Sequence, residues 1–250
     1  MSIVRRGTRV VKHRINKLGH ARRFTQFAKE HPELAVVINA VRSENLTFLP
    51  AAALAGLADA MMETEEAGID GDVIEAGAAL GGSSIILGRT KSPTRPMRVY
   101  DTFGLIPPPS EKDGADVHAR YEVIASGESQ GIGGSTYYGY RENLLGEVRG
   151  SFSRFEVPAD DNNVTFVKGL YQKTMEIESP VALAHLDCDW YESVMTCLER
   201  IEPHLVAGGR FVIDDYDAWS GARTAVDEFF AERTGYRFEK RSRLHIIKSG

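Results

Sequence analysis

The sequence predicts an α/β fold: a doubly wound, mostly parallel sheet of seven strands with helices on both faces. Short apolar strands alternate with helical segments between residues 72 and 235, an alternation that is typical of parallel sheets. Two further apolar segments, residues 236–240 and 244–248, predict a C-terminal antiparallel hairpin. A chain of 250 residues with 42% hydrophobic residues is long enough to bury one large core.

The elements follow from the apolar pattern and its interruptions. Pro50 and Gly68 delimit a helix over residues 51–67, because proline favours the start of a helix and glycine its end. Helical spacing predicts further helices that begin near residue 85 and that cover residues 191–205 and 222–232. The five strands between these helices are residues 72–76, 97–101, 164–168, 181–186 and 209–213.

One connection is too long for a simple crossover. Residues 102–163 separate the second and third strands, whereas a crossover needs about a dozen residues or more. Connections of this length are usually functional or disordered. Tyr137, Tyr138 and Tyr140 provide this connection with aromatic side chains that can pack against the domain. We therefore predict that an insert of about residues 104–160 forms a lid over the site.

The N-terminus is basic. Within residues 1–24 there is no acid, and the basic residues are Arg5, Arg6, Arg9, Lys12, Arg14, Lys17, Arg22 and Arg23. We predict a basic N-terminal arm with helices over residues 1–45, followed by the main domain over residues 46–250. An arm of this kind is expected to be solvated or to lie on a partner subunit, which favours a homodimer or larger homo-oligomer. Docking to an anionic substrate or carrier is the alternative.

The composition excludes several classes of protein. A formal net charge of −5 argues against bulk nucleic-acid binding, and no apolar run is long enough to predict a membrane span. Cys188 and Cys197 do not form a disulfide framework. We expect both thiols to be reduced in a cytoplasmic protein.

The strongest functional signal is a group of acids behind two strands. Asp187 and Asp189 follow the fourth strand, and Asp214 and Asp215 follow the fifth. Neighbouring parallel strands lie about 5 Å apart, so these carboxylates would meet in one crevice. Carboxylates at that range do not all stay ionised unless positive charge compensates them. A hard divalent cation with oxygen ligands is the usual source of that charge.

An ion-paired rim without metal is the competing interpretation of these acids. The nearest basic residues in the sequence are Arg210 and Lys168. Arg210 is at the wrong end of its strand and Lys168 is on a strand too far away. Since buried unpaired charge is costly, the pattern favours a metal site.

A glycine-rich turn after the first strand predicts a nucleotide-type cofactor site. Gly77, Gly81 and Gly82 allow a ligand to approach the backbone closely. Asp101 ends the second strand, where an acid typically binds the ribose hydroxyls of an adenosine. Glu75 completes an E-x-G-x-x-x-G pattern that is common among enzymes that use S-adenosylmethionine.

A dinucleotide cofactor is the alternative. A dinucleotide site prefers G-x-G-x-x-G, and position 79 is alanine. The Tyr-x-x-x-Lys pair of short-chain dehydrogenases occurs here as Tyr236 and Lys240, in the predicted hairpin and far from a hydride site. An NAD(P)-dependent oxidoreductase therefore stays as the second interpretation.

Taken together and in order, the motifs resemble those of the macrocin O-methyltransferase family over about residues 45–235. The segments that carry the resemblance are residues 73–77, 80–83, 101–107, 185–193, 203–209 and 213–216. The resemblance implies a Rossmann-like class I methyltransferase fold that uses S-adenosylmethionine and Mg²⁺. It differs from the familiar family pattern at Thr102, Gly104, Leu105, Cys188 and Trp190. These differences bear on the acceptor more than on the chemistry.

The resemblance also implies the roles of individual residues. The metal ligands fall on Asp187, Asp214 and Asp215. The cofactor-binding residues fall on Thr47, Glu75, Gly77, Gly81, Gly82, Ser83, Asp101 and Thr102.

The implied reaction is methyl transfer to a hydroxyl of a sugar or glycosylated natural product. A carboxylate takes the hydroxyl proton, and Asp187 and Asp189 are the two candidates. A catechol-like diol would satisfy the same metal. His185, on an apolar strand, is expected to be a hydrogen-bonded core residue rather than the base.

Overall fold

The computed structural model describes residues 22–250, which contain a seven-stranded sheet in the order β3-β2-β1-β4-β5-β7-β6. Strands β1 to β5 are parallel, and β7 is antiparallel to both β5 and β6. This confirms the predicted sheet and its C-terminal hairpin. The strands are β1 Asp72–Ala76, β2 Met97–Asp101, β3 Val164–Lys168, β4 Val181–Leu186, β5 Leu205–Ile213, β6 Tyr236–Lys240 and β7 Leu244–Lys248.

Helices cover both faces of the sheet and connect the parallel strands. Residues 22–30 are helical. The numbered helices are α1 Pro32–Ser43, α2 Ala51–Glu66, α3 Gly82–Thr90, α4 Ala115–Ala125, α5 Leu144–Arg154, α6 Tyr171–Thr174, α7 Tyr191–Ile201 and α8 Ser220–Phe230.

Two hydrophobic cores lie on opposite faces of the sheet. Along β1, Val73 belongs to one core and Ile74 to the other, because successive side chains of a strand point to opposite faces. All the residues of β1 and β4 are buried. Ile38 and Val41 of α1 join the first core, so α1 packs with the main domain. The proposed domain boundary at residue 45 stays a prediction.

The prediction of one helix through residue 205 is wrong. Helix α7 ends at Ile201, a short 3₁₀ turn follows over Glu202–His204, and Leu205 already begins β5. Pro203 supplies no amide hydrogen to continue the α-helical ladder. The apolar Leu205 that fitted the helical spacing is instead buried as the first strand residue.

The long insert contains two helices, α4 and α5, and some of its residues are buried in the first hydrophobic core. Helix α5 buries Leu144, Val148 and Phe152 in the first hydrophobic core. The Tyr140 hydroxyl donates to the Ile124 carbonyl oxygen at 2.6 Å, which ties the tyrosine-rich turn to α4. A lid role for the whole of residues 104–160 stays a prediction.

Three further predictions concern membrane spans, the two cysteines and the basic arm. No helix within residues 22–250 is both long and apolar enough to cross a membrane. Cys188 and Cys197 are buried free thiols, as predicted. Six of the eight basic residues of the arm lie in residues 1–21, outside the described residues.

A buried histidine of the hairpin predicts how stability depends on pH. His245 on β7 is fully buried, and neither ring nitrogen has a hydrogen-bond partner among the described residues. Burial, reinforced by the charges of Arg241 and Arg210, lowers the pKa of His245 to about 3. The unfolded chain takes up a proton near pH 6.5 and the native state does not, so stability is lost as pH falls below 6.5.

We therefore expect His245→Leu to weaken the acid sensitivity of the fold. Between pH 7.5 and 5.5 the free energy of unfolding of the wild type should fall by about 1.4 kcal/mol more than that of the variant. Urea unfolding at the two pH values measures this difference. His118→Gln, at an exposed position, should behave like the wild type. An equal loss in His245→Leu would contradict the assignment.

Candidate active site

Four carboxylates meet at the carboxyl edge of the central strands. Asp187 follows β4 and Asp214 follows β5, and the register pairs Leu186 with Ile213 immediately before them. Carboxylate oxygens of Asp187, Asp214 and Asp215 all lie within 4.8 Å of one another. The structure thus confirms the predicted proximity of these three acids.

The chemistry of this cluster fits a divalent cation. Burial and then the charges of neighbouring aspartates raise the pKa of Asp187 and of Asp215 well above the usual range. The cluster therefore resists full ionisation in the absence of a cation. Three convergent carboxylates form the oxygen-rich donor set that Mg²⁺ prefers, so the residues present fit the implied metal.

Asp214 differs from the other acids because two basic groups face it. The Nε of Arg243 donates to Asp214 Oδ1 at 2.5 Å, and His185 Nε2 lies 3.9 Å from the same oxygen. Burial alone would raise the pKa of Asp214, but His185 and Arg243 hold it below the usual value. Asp214 is therefore a fixed carboxylate anion.

Arg243 was missed by the sequence analysis, which considered only Arg210 and Lys168 as cations. Arg243 lies in the turn between β6 and β7. Because β7 runs antiparallel to β5, Leu244 pairs with Ile213, and the residue before Leu244 reaches the carboxyl edge of β5. The antiparallel hairpin was itself the signal that could have identified Arg243.

A row of polar side chains runs under the site, across β1 and β4. Ser83 donates its hydroxyl to Glu75 Oε1 at 2.5 Å, and His185 Nδ1 lies 3.2 Å from the same oxygen. Although burial opposes a charge on His185, Glu75 and then Asp214 raise its pKa to about 10. Glu75 and Asp214 thus favour the protonated form of His185. Its place on β4 beside Glu75 matches the expected hydrogen-bonded core residue.

Asp189 occupies a strained position beside the cluster. Its φ of 56° is left-handed, and its backbone amide donates to Asp215 Oδ2 at 3.3 Å. Burial raises the pKa of Asp189 to about 6. Trp190 and Trp219 pack edge to face next to it, with ring centroids 5.6 Å apart.

A single pocket of about 330 Å³ joins the acids to the glycine loop. Asp187, Asp189, Asp214 and Asp215 all line it. The predicted cofactor residues that also line it are Thr47, Gly77, Ser83, Asp101 and Thr102.

The other three predicted cofactor residues lie behind the wall of this pocket. Glu75 accepts the hydrogen bond from Ser83 and contacts His185, as described above. Gly81 takes a left-handed φ of 87° where α3 begins. The amide of Gly82 donates to the Leu46 carbonyl oxygen at 3.0 Å. This hydrogen bond joins the Leu46–Thr47 segment to the glycine loop.

Gly77 lies where two loops approach closely. Its φ is 95°, and a Cβ at this position would overlap the carbonyl oxygen of Asp187. Only glycine accommodates both the left-handed conformation and the contact. The loop after β1 and the loop after β4 can therefore share the pocket wall.

Asp101 lies at the floor of the glycine loop. Its Oδ2 accepts hydrogen bonds from the amides of Ala78 and Ala79 at 2.8 and 2.9 Å. Its Oδ1 accepts from the Phe103 amide at 2.6 Å and the Thr102 hydroxyl at 3.3 Å. Both oxygens are thus engaged within the chain.

The insert contributes the outer wall. Arg120 and Ile124 of α4 line the pocket together with Tyr137 and Tyr138; Arg120 and Ile124 were not predicted. Two carboxylates attach the insert to the helices behind the acidic loops. Asp113 Oδ1 accepts from the amide of Tyr191 at 2.8 Å, and Asp116 Oδ2 accepts from the amide of Ser220 at 3.0 Å.

Comparison with known proteins agrees with this architecture. The O-methyltransferase NovP superposes with a TM-score of 0.63 at 22% identity, over 78% of each chain. The fold is therefore that of the class I methyltransferases. Two curated relatives come from Streptomyces, and the aligned parts of this chain span about six tenths of the length of each.

The first of these relatives is the 8-demethyl-8-(2,3-dimethoxy-α-L-rhamnosyl)-tetracenomycin-C 4′-O-methyltransferase of Streptomyces olivaceus. It is 32% identical over 168 residues, which are 65% of this chain and 59% of the relative. The second is the demethyldecarbamoylnovobiocin O-methyltransferase of Streptomyces niveus, 28% identical over 175 residues, 66% of this chain and 60% of the relative. The sequence pattern of the macrocin-O-methyltransferase (TylF) family matches residues 22–235, and the chain belongs to this family.

Proposed function

We propose that the protein transfers a methyl group from S-adenosylmethionine to a hydroxyl of a sugar or glycosylated natural product, with Mg²⁺ at the acidic cluster. One observation carries the proposal: Asp187, Asp214 and Asp215 converge within 4.8 Å in the same pocket as the glycine loop. Two curated relatives are named as O-methyltransferases of a rhamnosyl tetracenomycin and of demethyldecarbamoylnovobiocin. The rhamnosyl group in the first name supports a glycosylated acceptor.

The cofactor end of the pocket is formed by the glycine loop and its neighbours. Gly77 lets a ligand approach the backbone closely, and Thr47 and Thr102 also line the pocket. When bound, S-adenosylmethionine supplies an electrophilic methyl group and Mg²⁺ makes the acceptor hydroxyl more acidic. The residues of the chain then have to orient the acceptor and remove its proton.

Asp187, Asp214 and Asp215 are the proposed metal ligands. Asp214 is held in place by Arg243, which leaves its second oxygen, Oδ2, for a cation. Fixing a ligand through a neighbouring hydrogen bond is a common way to orient a metal site. The charge of Arg243 also offsets part of the repulsion among the aspartates.

Asp189 is the proposed general base. The metal ligand set accounts for Asp187, which was the other candidate, whereas Asp189 is beside the cluster. A pKa of about 6 leaves Asp189 ionised at neutral pH and able to accept a proton. The hydroxyl proton would pass to an Asp189 carboxylate oxygen as the acceptor oxygen bonds to the methyl carbon. The carbon–sulfur bond would break in the same step, and S-adenosylhomocysteine would leave.

Aromatic side chains form the proposed acceptor end. Trp219 and Tyr137 line the pocket near Asp189, and Trp190 is fixed by donation from its Nε1 to the Pro107 carbonyl oxygen at 3.0 Å. Aromatic faces provide apolar surface on which the ring of a sugar can rest.

The direct test is methyl transfer from radiolabelled S-adenosylmethionine to a panel of acceptors, with Mg²⁺ or with chelator. The panel should contain rhamnosides, free sugars and a catechol, and NAD binding should be measured in parallel. The proposal expects transfer to a glycoside only with the metal present. Binding of NAD instead, or transfer that persists with chelator, would contradict it.

We expect Asp214→Asn to lower metal-dependent turnover by roughly 100-fold or more, because it weakens a ligand and its link to Arg243. Mn²⁺ affinity, measured by electron paramagnetic resonance, should fall as well. Asp217→Asn is the matched control, since Asp217 lies in the same turn but is exposed and pairs with Lys240. Unchanged Mn²⁺ binding in Asp214→Asn would remove Asp214 from the metal site.

Asp189→Asn should separate proton removal from metal binding. Turnover should fall about 10²- to 10⁴-fold, the usual contribution of a general base, while Mn²⁺ affinity stays within a few-fold of the wild type. Single-turnover methyl transfer and Mn²⁺ titration measure the two effects. A parallel loss of both would identify Asp189 as a metal ligand instead.

Gly77→Ala should abolish S-adenosylhomocysteine binding and destabilise the fold, because the new Cβ overlaps the Asp187 carbonyl. Gly127→Ala is the matched control: Gly127 has a φ of 83°, and a Cβ added there would meet nothing within 4 Å. The control should lose only about 1–2 kcal/mol of stability, the cost of left-handed backbone for alanine. Its affinity for S-adenosylhomocysteine should not change. Calorimetric titration and urea unfolding distinguish the two.

Assembly as a homodimer or larger homo-oligomer is also part of the proposal. It derives from the basic N-terminal arm, in which six of the eight basic residues precede residue 22. Light scattering on the full chain and on a variant in which the arginines of residues 1–21 are replaced by glutamine would test it. A monomeric wild type would contradict it.

A further inference from the structure

We infer that Arg120 binds an anionic group of the acceptor, a carboxylate or a phosphate, while a hydroxyl of the same molecule is methylated. This inference rests on the proposed function and narrows the class of acceptor. Its basis is a guanidinium that lines the pocket and takes part in no ion pair within residues 22–250. In the same part of the chain, Arg120 is the only lysine or arginine that lines the pocket.

The insert holds the Arg120 side chain in place. Its Nη2 donates to Ser129 Oγ at 2.9 Å, and its guanidinium carbon lies 5.6 Å from the ring centroid of Tyr137. Ser129 is buried, and its amide donates to the hydroxyl of Tyr140 at 3.2 Å. A guanidinium over an aromatic ring is attracted to it, so the insert itself orients Arg120.

Most of the hydrogen-bonding capacity of Arg120 is unused within the chain. A guanidinium has five N–H donors, and among the described residues only Ser129 accepts from one of them. The nitrogens Nε and Nη1 are not buried, unpaired atoms, so they are accessible to a ligand. Arginine presents such donors as a planar fork that fits the oxygens of a carboxylate or a phosphate.

Arg120 lies at the proposed acceptor end of the pocket. Beyond the effect of burial, the charge of Asp189 raises the pKa of Tyr137 and the charge of Arg120 lowers it. Charge effects fall with distance, so the guanidinium and the proposed base are near the same ring. Burial raises the pKa of Asp189 itself, and the Trp219 side chain lowers it more than the charge of Arg120 does. Asp189 therefore leaves the guanidinium available to another anion.

The charges around the pocket favour an anion at Arg120. The proposed metal ligands already have Arg243 as a partner, through Asp214, and Mg²⁺ would add further positive charge there. Arg120 is on the opposite wall and is partly buried. A neutral acceptor that covers Arg120 would remove water from an unpaired charge, which is unfavourable. An oxyanion would replace that water with charge-assisted hydrogen bonds.

The first experiment compares neutral and charged acceptors in the methyl-transfer assay with the wild-type chain. The phosphate arm sets methyl rhamnoside against rhamnose 1-phosphate and a nucleoside-diphosphate rhamnose. The carboxylate arm sets methyl glucoside against methyl glucuronide. We expect kcat/KM to favour the charged acceptor by roughly tenfold or more in at least one arm, the usual effect of a hydrogen bond to a charged group. Equal or better turnover of the neutral acceptor in both arms would overturn the inference.

Arg120→Gln should remove this preference. For the charged acceptor kcat/KM should fall roughly 10- to 100-fold, while the value for the neutral acceptor stays within about threefold of the wild type. If Arg120→Gln does not fold, Arg120→Met, which keeps most of the apolar stem, should give the same result. A preference that survives the loss of the guanidinium, or an equal loss for both acceptors, would overturn the inference.

Arg149→Gln is the matched control for these variants. Arg149 is an arginine of the same insert whose guanidinium carbon lies 5.1 Å from the ring centroid of Phe166, but it does not line the pocket. The control should keep the wild-type preference for the charged acceptor. A loss of preference in Arg149→Gln as large as in Arg120→Gln would assign the preference to the overall charge of the insert and overturn the specific role of Arg120.

The carboxylate of S-adenosylmethionine is a second anion that would enter the same pocket. Calorimetric titration of S-adenosylhomocysteine into wild type and Arg120→Gln separates the two, and we expect the Kd values to agree within about threefold. A loss of about tenfold or more would assign Arg120 to the cofactor and overturn the inference. If no acceptor is methylated, the proposed function fails. Titration of the same charged and neutral sugars into wild type and variant then still tests Arg120, through the difference in Kd.

Discussion

Repulsion among buried carboxylates is the constraint on which the site depends. Three aspartates place oxygens within 4.8 Å of one another at the edge of the sheet, an arrangement that is unfavourable unless positive charge compensates it. The chain supplies part of that charge, because His185 and Arg243 both face Asp214. Asp187 and Asp215 keep raised pKa values, and a divalent cation would complete the compensation.

The fold makes this cluster possible by bringing strand ends together. Parallel pairing of β4 with β5 fixes Asp187 beside Asp214, and the pairing of β1 with β4 brings the glycine loop to the same edge. Ligands of open α/β sheets bind outside the carboxyl ends of the strands. Here the row Ser83–Glu75–His185–Asp214–Arg243 links the beginning of α3 to the C-terminal hairpin, so the cofactor loop and the proposed metal ligands share one polar support.

Much of this could be predicted from the sequence because it depends on local pattern. The strands of the sheet are short apolar runs that end in acid or glycine, and parallel topology alone brings their ends together. The end of α7 was harder to predict because Leu205 fits both a helical face and a strand, and only Pro203 separates the two elements. Helix boundaries are the least reliable part of such predictions.

Other features depend on contacts between distant segments and were less predictable. Arg243 reaches Asp214 only because the hairpin returns to the edge of β5. The four donors around Asp101 come from two loops, and two of them need left-handed backbone at residues other than glycine, for which the sequence carries no clear signal. Arg120 lines the pocket because Asp113 and Asp116 attach the insert to α7 and α8.

The most direct test of the central claim is anomalous diffraction from crystals of the protein grown with Mn²⁺ and S-adenosylhomocysteine. Mn²⁺ takes the same oxygen ligands as Mg²⁺ and gives an anomalous peak. The account predicts one peak within coordination distance of Asp187, Asp214 and Asp215. A structure with S-adenosylhomocysteine bound and no manganese at these aspartates would contradict it.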